Sequence, residues 1–225
     1  MTLIVSIKSA YGLVVAADGM AYYGHGDANV PSPVQKVKVV RSTDWLFAFS
    51  GQGTAETLFQ TIQASIEKGS ITLDPDIRIA VLQFFEAFEF HLAGNFSSTL
   101  LLAGFDPEGV PQVFVRETKQ GSTTTVGDVF ALGAQHSTAI WLVQTLLQQA
   151  LSLDDVAFLA YFAIAQVAAQ EIKVGNPDRY RIDVCALSSR AAPKFVTEPE
   201  LQSYAARSQE LCARMQQAFG SKQAT

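Results

Sequence analysis

The first strand this chain can form begins at its third residue. Leu3-Ile4-Val5-Ser6-Ile7 is a β-branched apolar run, Ser9 to Gly12 is turn-like, and Leu13-Val14-Val15-Ala16-Ala17 reads as a second, buried strand. Chain ends ordinarily fray unless something ties them down. A fold for this sequence must therefore hold its opening residues inside a sheet.

The remaining pattern is read in the same way. Residues 19–35 are punctuated by Gly24, Gly26, Pro31 and Pro33 and read as a loop. Short strands are expected at Val37–Val40 and Trp45–Phe49, ending in Ser50-Gly51-Gln52-Gly53. Helical spacing runs from Thr54 to Lys68 through Ala55, Leu58, Phe59, Ile62 and Ile66. A second helix, Ile77 to Leu92, starts after Pro75 and carries Phe84, Phe85 and Phe88 on one face. Period two returns over Ser98–Phe105, Val110–Arg116 and Asp128–Leu132, with an Asp106-Pro107-Glu108-Gly109 turn. Ser137–Leu151 and Asp154–Lys173 read as helices, Tyr180–Leu187 as a strand and Pro199–Phe219 as a final amphipathic helix. Strands, two helices, strands, two helices and a strand lack the βαβ alternation of a parallel sheet. The expected fold is α+β, a four-layer αββα sandwich, in one domain over residues 1–225 with 199–225 as a C-terminal helix and tail.

Composition excludes several functions. The 225 residues are 48% apolar and only 16% charged, so long disorder is not expected, and assembly into an oligomer would hide apolar faces. Sixteen Lys and Arg against 21 Asp and Glu leave no basic excess for a phosphate backbone, which speaks against nucleic acid. No apolar run spans a bilayer, and the N-terminus lacks the basic and apolar regions of a signal peptide, so no membrane partner is expected. Cys185 and Cys212 make neither a disulfide framework nor a metal pair, and a cytoplasmic location follows. His25, His91 and His136 have no ligand spacing, and His91 reads as structural; neither metal nor cofactor is expected. Gly51-x-Gly53 is too short for a phosphate loop.

Chemistry concentrates at the N-terminus. Removal of Met1 would make Thr2 the terminal residue, giving one residue both a hydroxyl and an α-amine. A hydroxyl is a weak nucleophile alone, and an amine that titrates near neutrality can take its proton. Such a site also needs a cation to hold the amine neutral and a carboxylate to fix that cation. Asp18 closes the second strand and Lys36 opens the third. In an antiparallel hairpin the end of strand two lies beside the start of strand one, so Asp18 can reach Thr2. Taken singly, a Thr at position two and an Asp-Gly after a strand are more often bland than catalytic.

Thr2-Leu-Ile-Val-Ser-Ile-Lys followed by Gly12-Leu-Val-Val-Ala-Ala-Asp18-Gly19 resembles the opening of proteasome β subunits and the bacterial HslV peptidase, which are N-terminal threonine nucleophile hydrolases. Gln35-Lys36-Val37 is similar to the segment carrying that family's lysine. Leu46-Phe47-Ala48-Phe49-Ser50-Gly51, leading into Gly53-Thr54-Ala55-Glu56, is similar to the strand and helix start that follow. The resemblance implies an αββα sandwich in which Thr2 is the nucleophile, Lys36 the cation, Asp18 its carboxylate and the Ala48 N–H an oxyanion donor. It implies activation by loss of Met1 and a homo-oligomeric ring acting on peptides or unfolded proteins. An ATPase unfoldase is the implied partner. Met20, Ala21, Tyr22 and Ser50 are its candidates for an apolar specificity pocket. Two departures stand against it: Gly133-Ala134-Gln135 replaces a Gly-Ser-Gly, and Glu171 and Val174 align with an Asp and a Ser. Three readings stay open, namely a threonine peptidase, an N-terminal-threonine amidohydrolase or acyl transferase, and a non-catalytic ring subunit.

Overall fold

The structure is a computed structural model that describes residues 2–23, 30–41, 43–50, 54–91, 98–118, 121–171, 174, 175, 177, 179–189 and 191–220. Calls that fall on Met1, Gly24 to Gly26, Gly51 to Gly53, Leu92 and Lys173 lie outside the described residues. The chain divides into two compact units, Met1–Phe195 and Val196–Thr225.

The first unit is built on two five-stranded antiparallel sheets. The opening hairpin is β1 (Leu3–Ser9) and β2 (Gly12–Asp18), paired from Ile4 opposite Ala17 to Ser9 opposite Gly12. β10 (Val129–Gly133) lies on the other side of β1, and β11 (Ile182–Ser188) and β12 (Ala191–Phe195) extend the sheet beyond β2, giving the order β10-β1-β2-β11-β12. The N-terminal strand is thus interior, with bonded neighbours on both edges, which is what keeps it from fraying.

The second sheet runs β5-β6-β7-β8-β9 in chain order: Val37–Val40, Trp45–Ser50, Thr99–Phe105, Pro111–Glu117 and Thr123–Thr125. Between the sheets lies an aliphatic core that includes Ile4, Val15, Ala17, Val37, Ala48, Leu101, Val113, Cys185 and Leu187. Helices α3 (His136–Leu147) and α4 (Leu153–Ala168) pack on the outer face of the first sheet. Helices α1 (Thr54–Glu67) and α2 (Ile77–His91) cover the second. These are the four layers that the element order implies.

Each outer layer has a sequence reason. Phe47 on β6 stacks on Phe59 of α1 at 5.2 Å and meets Phe88 of α2 at 4.8 Å and Phe84 at 5.4 Å, so the aromatic faces converge on one buried ring. α4 opens at Ser152, whose Oγ accepts the Asp155 N–H at 3.1 Å, and Asp154 and Asp155 suit the positive end of the helix. Nearly every α4 residue from Val156 to Ala168 is buried. The second unit contains α5 (Glu198–Gly220), capped where Thr197 donates through both its N–H and its hydroxyl to Glu200 at 2.7 Å.

Several expectations need correction. Residues 19–35 hold a small antiparallel pair, β3 (Met20–Tyr23) with β4 (Val30–Pro33), where a loop was expected. Its two prolines, Pro31 and Pro33, lie on an isolated two-stranded ribbon, where an open edge tolerates them. β9 and β12 were also not foreseen: Thr123–Thr125 is short and polar, and Pro193 interrupts Ala191–Phe195. α3 stops at Leu147 with Gln148 as its cap, short of the expected Leu151, and α4 ends at Ala168. Beyond both ends the backbone bonds loosen into turns, Ala150 N–H to Leu147 O and Gln170 N–H to Val167 O, which apolar spacing does not register.

Candidate active site

Thr2 sits at the open end of β1, and three neighbours fix it. Its carbonyl accepts the Ala134 N–H at 3.1 Å. That bond requires β10 to turn sharply at Gly133, where φ is +106° and where a Cβ would run into the Thr2 carbonyl. Only glycine adopts that conformation at no steric cost, and only glycine leaves room for the approach.

Asp18 ends β2 beside Thr2, as the hairpin register demands. It is completely buried and accepts backbone N–H groups from Leu3 at 2.7 Å, Gly175 at 3.2 Å and Met20 at 3.4 Å. Gly175 approaches so closely that a Cβ there would stand 2.8 Å from the Met20 Cβ. These donors hold the carboxylate before any cation arrives.

Lys36 comes from the other sheet, in the segment leading into β5. Its Nζ donates to Thr2 Oγ1 at 2.9 Å and to Asp18 Oδ2 at 3.1 Å. The ion pair is dry, with lysine and aspartate side chains 3% and 0% exposed. Burial pulls the Lys36 pKa below its ordinary value, and the Asp18 charge opposes that shift. The arrangement presents a cation to a threonine hydroxyl with nothing else polar between them. It can hold the hydroxyl oriented and, once Thr2 carries a free amine, can disfavour protonation of that amine.

The structure brings Thr2, Asp18 and Lys36 together from three strands on two sheets. Ala48 is placed differently. It lies inside β6, opposite Val37 of β5 and Leu101 of β7, and is fully buried in the inter-sheet core. With a ladder partner on each side, its N–H is taken whichever way it points. β6 continues past the end of β5 through Phe49 and Ser50, which pair only with β7. Among the pocket candidates, Met20 is buried, Ala21 and Ser50 are partly exposed, and the Tyr22 side chain lies outside the described residues.

One residue at the site escaped the sequence reading. Asp183, buried on β11, accepts the Lys36 N–H at 2.7 Å and the Val37 N–H at 3.5 Å. Burial raises its pKa to about 6, against the opposing pull of those two N–H groups and of Arg181 and Lys38. The available signal was a lone acid in the otherwise apolar run Ile182-Asp183-Val184-Cys185-Ala186-Leu187. Among the described residues no group of three His, Cys, Asp or Glu side chains can hold a metal ion, and no helix is long and apolar enough to cross a membrane.

Two antiparallel sheets between helix pairs, with the first strand interior and its terminal threonine at a lysine and an aspartate, define an α+β sandwich of the N-terminal-nucleophile type. The pattern of the family described as proteasome subunit matches residues 2–184. The chain belongs to the proteasome subunit family. Solved structures agree on the fold. An Anbu (Gly-1) mutant from Hyphomicrobium sp. strain MC1 is 17% identical, with 98% of this chain and 97% of that one covered at a TM-score of 0.78. Anbu from Yersinia bercovieri, described as an ancestral beta-subunit, is 16% identical over 97% and 96% at 0.79. A comparison with curated proteins gives no match.

Proposed function

We infer that this chain is a threonine peptidase subunit of a proteasome-like ring. The observation that carries the reading is the Lys36 ammonium, buried and bonded to both Thr2 Oγ1 and Asp18. A lysine buried for packing alone would lose stability by desolvation and gain nothing from a hydroxyl. Here it faces the one side chain that removal of Met1 would convert into a nucleophile.

In the proposed reaction the free α-amine of Thr2 takes the proton of Oγ1 as that oxygen attacks the scissile carbonyl carbon. Lys36 stays protonated through Asp18, which keeps the nearby amine neutral and able to act as base. The oxyanion accepts a backbone N–H. Collapse of the tetrahedral species expels the amine of the leaving peptide, which carries away the proton held by the α-amine. Water then attacks the ester on Oγ1, giving its proton to the same amine, which passes it to Oγ1 as the C–O bond breaks and the acid product leaves. An amidohydrolase or acyl transferase would share the first half and differ in the acceptor.

One observation favours a non-catalytic subunit. Ala134, whose N–H holds the Thr2 carbonyl, carries a methyl where the resembled family has a hydroxyl, and Val174, beside the Asp18 donor Gly175, is likewise apolar and buried. Intact mass after incubation with a peptide epoxyketone separates the readings, because that electrophile needs the hydroxyl and the free amine of one residue. The expected result is a single adduct on the chain lacking Met1, absent from Thr2→Ala. Loss of Met1 with no adduct across a panel of peptide epoxyketones would leave the non-catalytic reading.

A further inference from the structure

Lys36 has two anchors, and only one is explained by the proposed chemistry. Asp18 holds its ammonium; Asp183 holds its backbone. β5 has its first ladder pair at Val37 opposite Ala48, so the N–H groups leading into the strand need another acceptor. The neighbouring Val34 N–H goes to the Gly19 carbonyl at 2.8 Å. Lys36 and Val37 instead donate to a side chain from the opposite sheet, at 2.7 and 3.5 Å.

We propose that Asp183 is a positioning residue for Lys36, fixing the entry of β5 so that the ammonium reaches Thr2 and Asp18 together. The register supports this. Ile182 lies opposite Asp18 and Asp183 opposite Ala17, so β11 sets both the carboxylate bound to the lysine side chain and the one bound to its backbone. Side chains alternate along a strand, which places Asp183 in one row with Cys185 and Leu187, the row that fills the inter-sheet core. Packing alone asks for an apolar residue at the end of that row.

The charged and titratable groups around Asp183 are Lys36 just before β5, Lys38 on β5, Arg181 just before β11, Cys185 on β11, and Asp18 across the ladder on β2. The carboxylate also borders an open pocket of about 490 Å³ beside Gly19, Val34, Gln35, Arg181 and Phe195, so protons can reach it from solvent. The inference rests on the reading of Thr2 as nucleophile, and its test separates the two.

The experiment measures amide hydrogen exchange and Thr2 labelling in wild type, Asp183→Ala, Asp183→Asn and Asp183→Glu. Loss of the acceptor in Asp183→Ala is expected to speed exchange at Lys36 and Val37 about tenfold, the worth of one hydrogen bond, while the β1–β2 amides stay as in wild type. Epoxyketone labelling is expected to slow about tenfold in Asp183→Ala by the same bond. In wild type it should rise with pH through about 6 as the acid ionises, a step that Asp183→Asn lacks and Asp183→Glu partly restores. Asp183→Asn keeps an acceptor oxygen and serves where Asp183→Ala does not fold. Unchanged exchange at residues 36 and 37 in the alanine variant would overturn the proposal, as would a wild-type labelling profile in the asparagine variant. Expected exchange with no labelling of wild type would uphold the anchor and overturn the peptidase reading instead.

Discussion

At the scale of single residues, two side chains sit where folding alone would not place them. Burial lowers the Lys36 pKa against the opposing charges of Asp18 and Asp183, and burial raises that of Asp183. A carboxyl whose folded pKa of about 6 exceeds its unfolded value near 3.8 contributes stability that is fully present below 3.8 and is lost as pH rises through about 6. Asp183→Asn should therefore gain on wild type between pH 4 and pH 7, by on the order of 2 kcal/mol, read from denaturant melts at the two pH values. A stabilised variant with slower labelling would mark a residue kept for function. Equal pH dependence of the two proteins would show that Asp183 is not the titrating group. Gly133→Ala forces a Cβ onto the Thr2 carbonyl at φ +106° and is expected to destabilise by about 2 kcal/mol or more and to abolish labelling of Thr2. Normal labelling would mean that the β10 turn does not hold Thr2 in place. The trio of Thr2, Asp18 and Lys36 was legible in the sequence because each stands at a strand end flanked by a recognisable run. Asp183 was not, because its partners are backbone groups 146 and 147 residues away.

At the scale of elements, the helix pairs differ in what holds them. α1 and α2 meet the second sheet through an aromatic cluster centred on Phe47, whereas α4 is buried along almost its whole length. Phe47→Ala removes the ring that touches both helices and is expected to lower stability by about 3–5 kcal/mol in chemical denaturation. A loss below 1 kcal/mol would mean that the cluster collapses into the space. Ser152→Ala should lose about 1 kcal/mol, the worth of an N-cap, seen as a small drop in melting temperature with labelling unchanged. Strand and helix identities followed from periodicity wherever one face is consistently apolar. They failed at β4, β9 and β12, where prolines or polar residues leave no period, and at β3, where four residues are too few to show one; pairing with a neighbour decides the conformation.

At the scale of the whole molecule, the surface retains large apolar side chains. Trp141 is 59% exposed and Leu151 79%, on a chain with few charges to keep copies apart. Under the ring reading, sedimentation should give a particle several times the 24.3 kDa chain mass. Thr2→Ala should assemble equally well, and a single 24.3 kDa species at micromolar concentration would remove the ring from the proposal. The sequence by itself determined the layer order, the buried N-terminal hairpin and the candidates Thr2, Asp18 and Lys36, because apolar period and strand ends are local properties of the chain. The tertiary structure alone decided what surrounds them. The Asp183 anchor, the Gly133 clamp and the place of Ala48 between Val37 and Leu101 depend on which strands face each other and in what register. Within a strand the apolar period fixes which face turns inward, but which strand lies opposite, and so which side chains meet, is set by the packing of the two sheets.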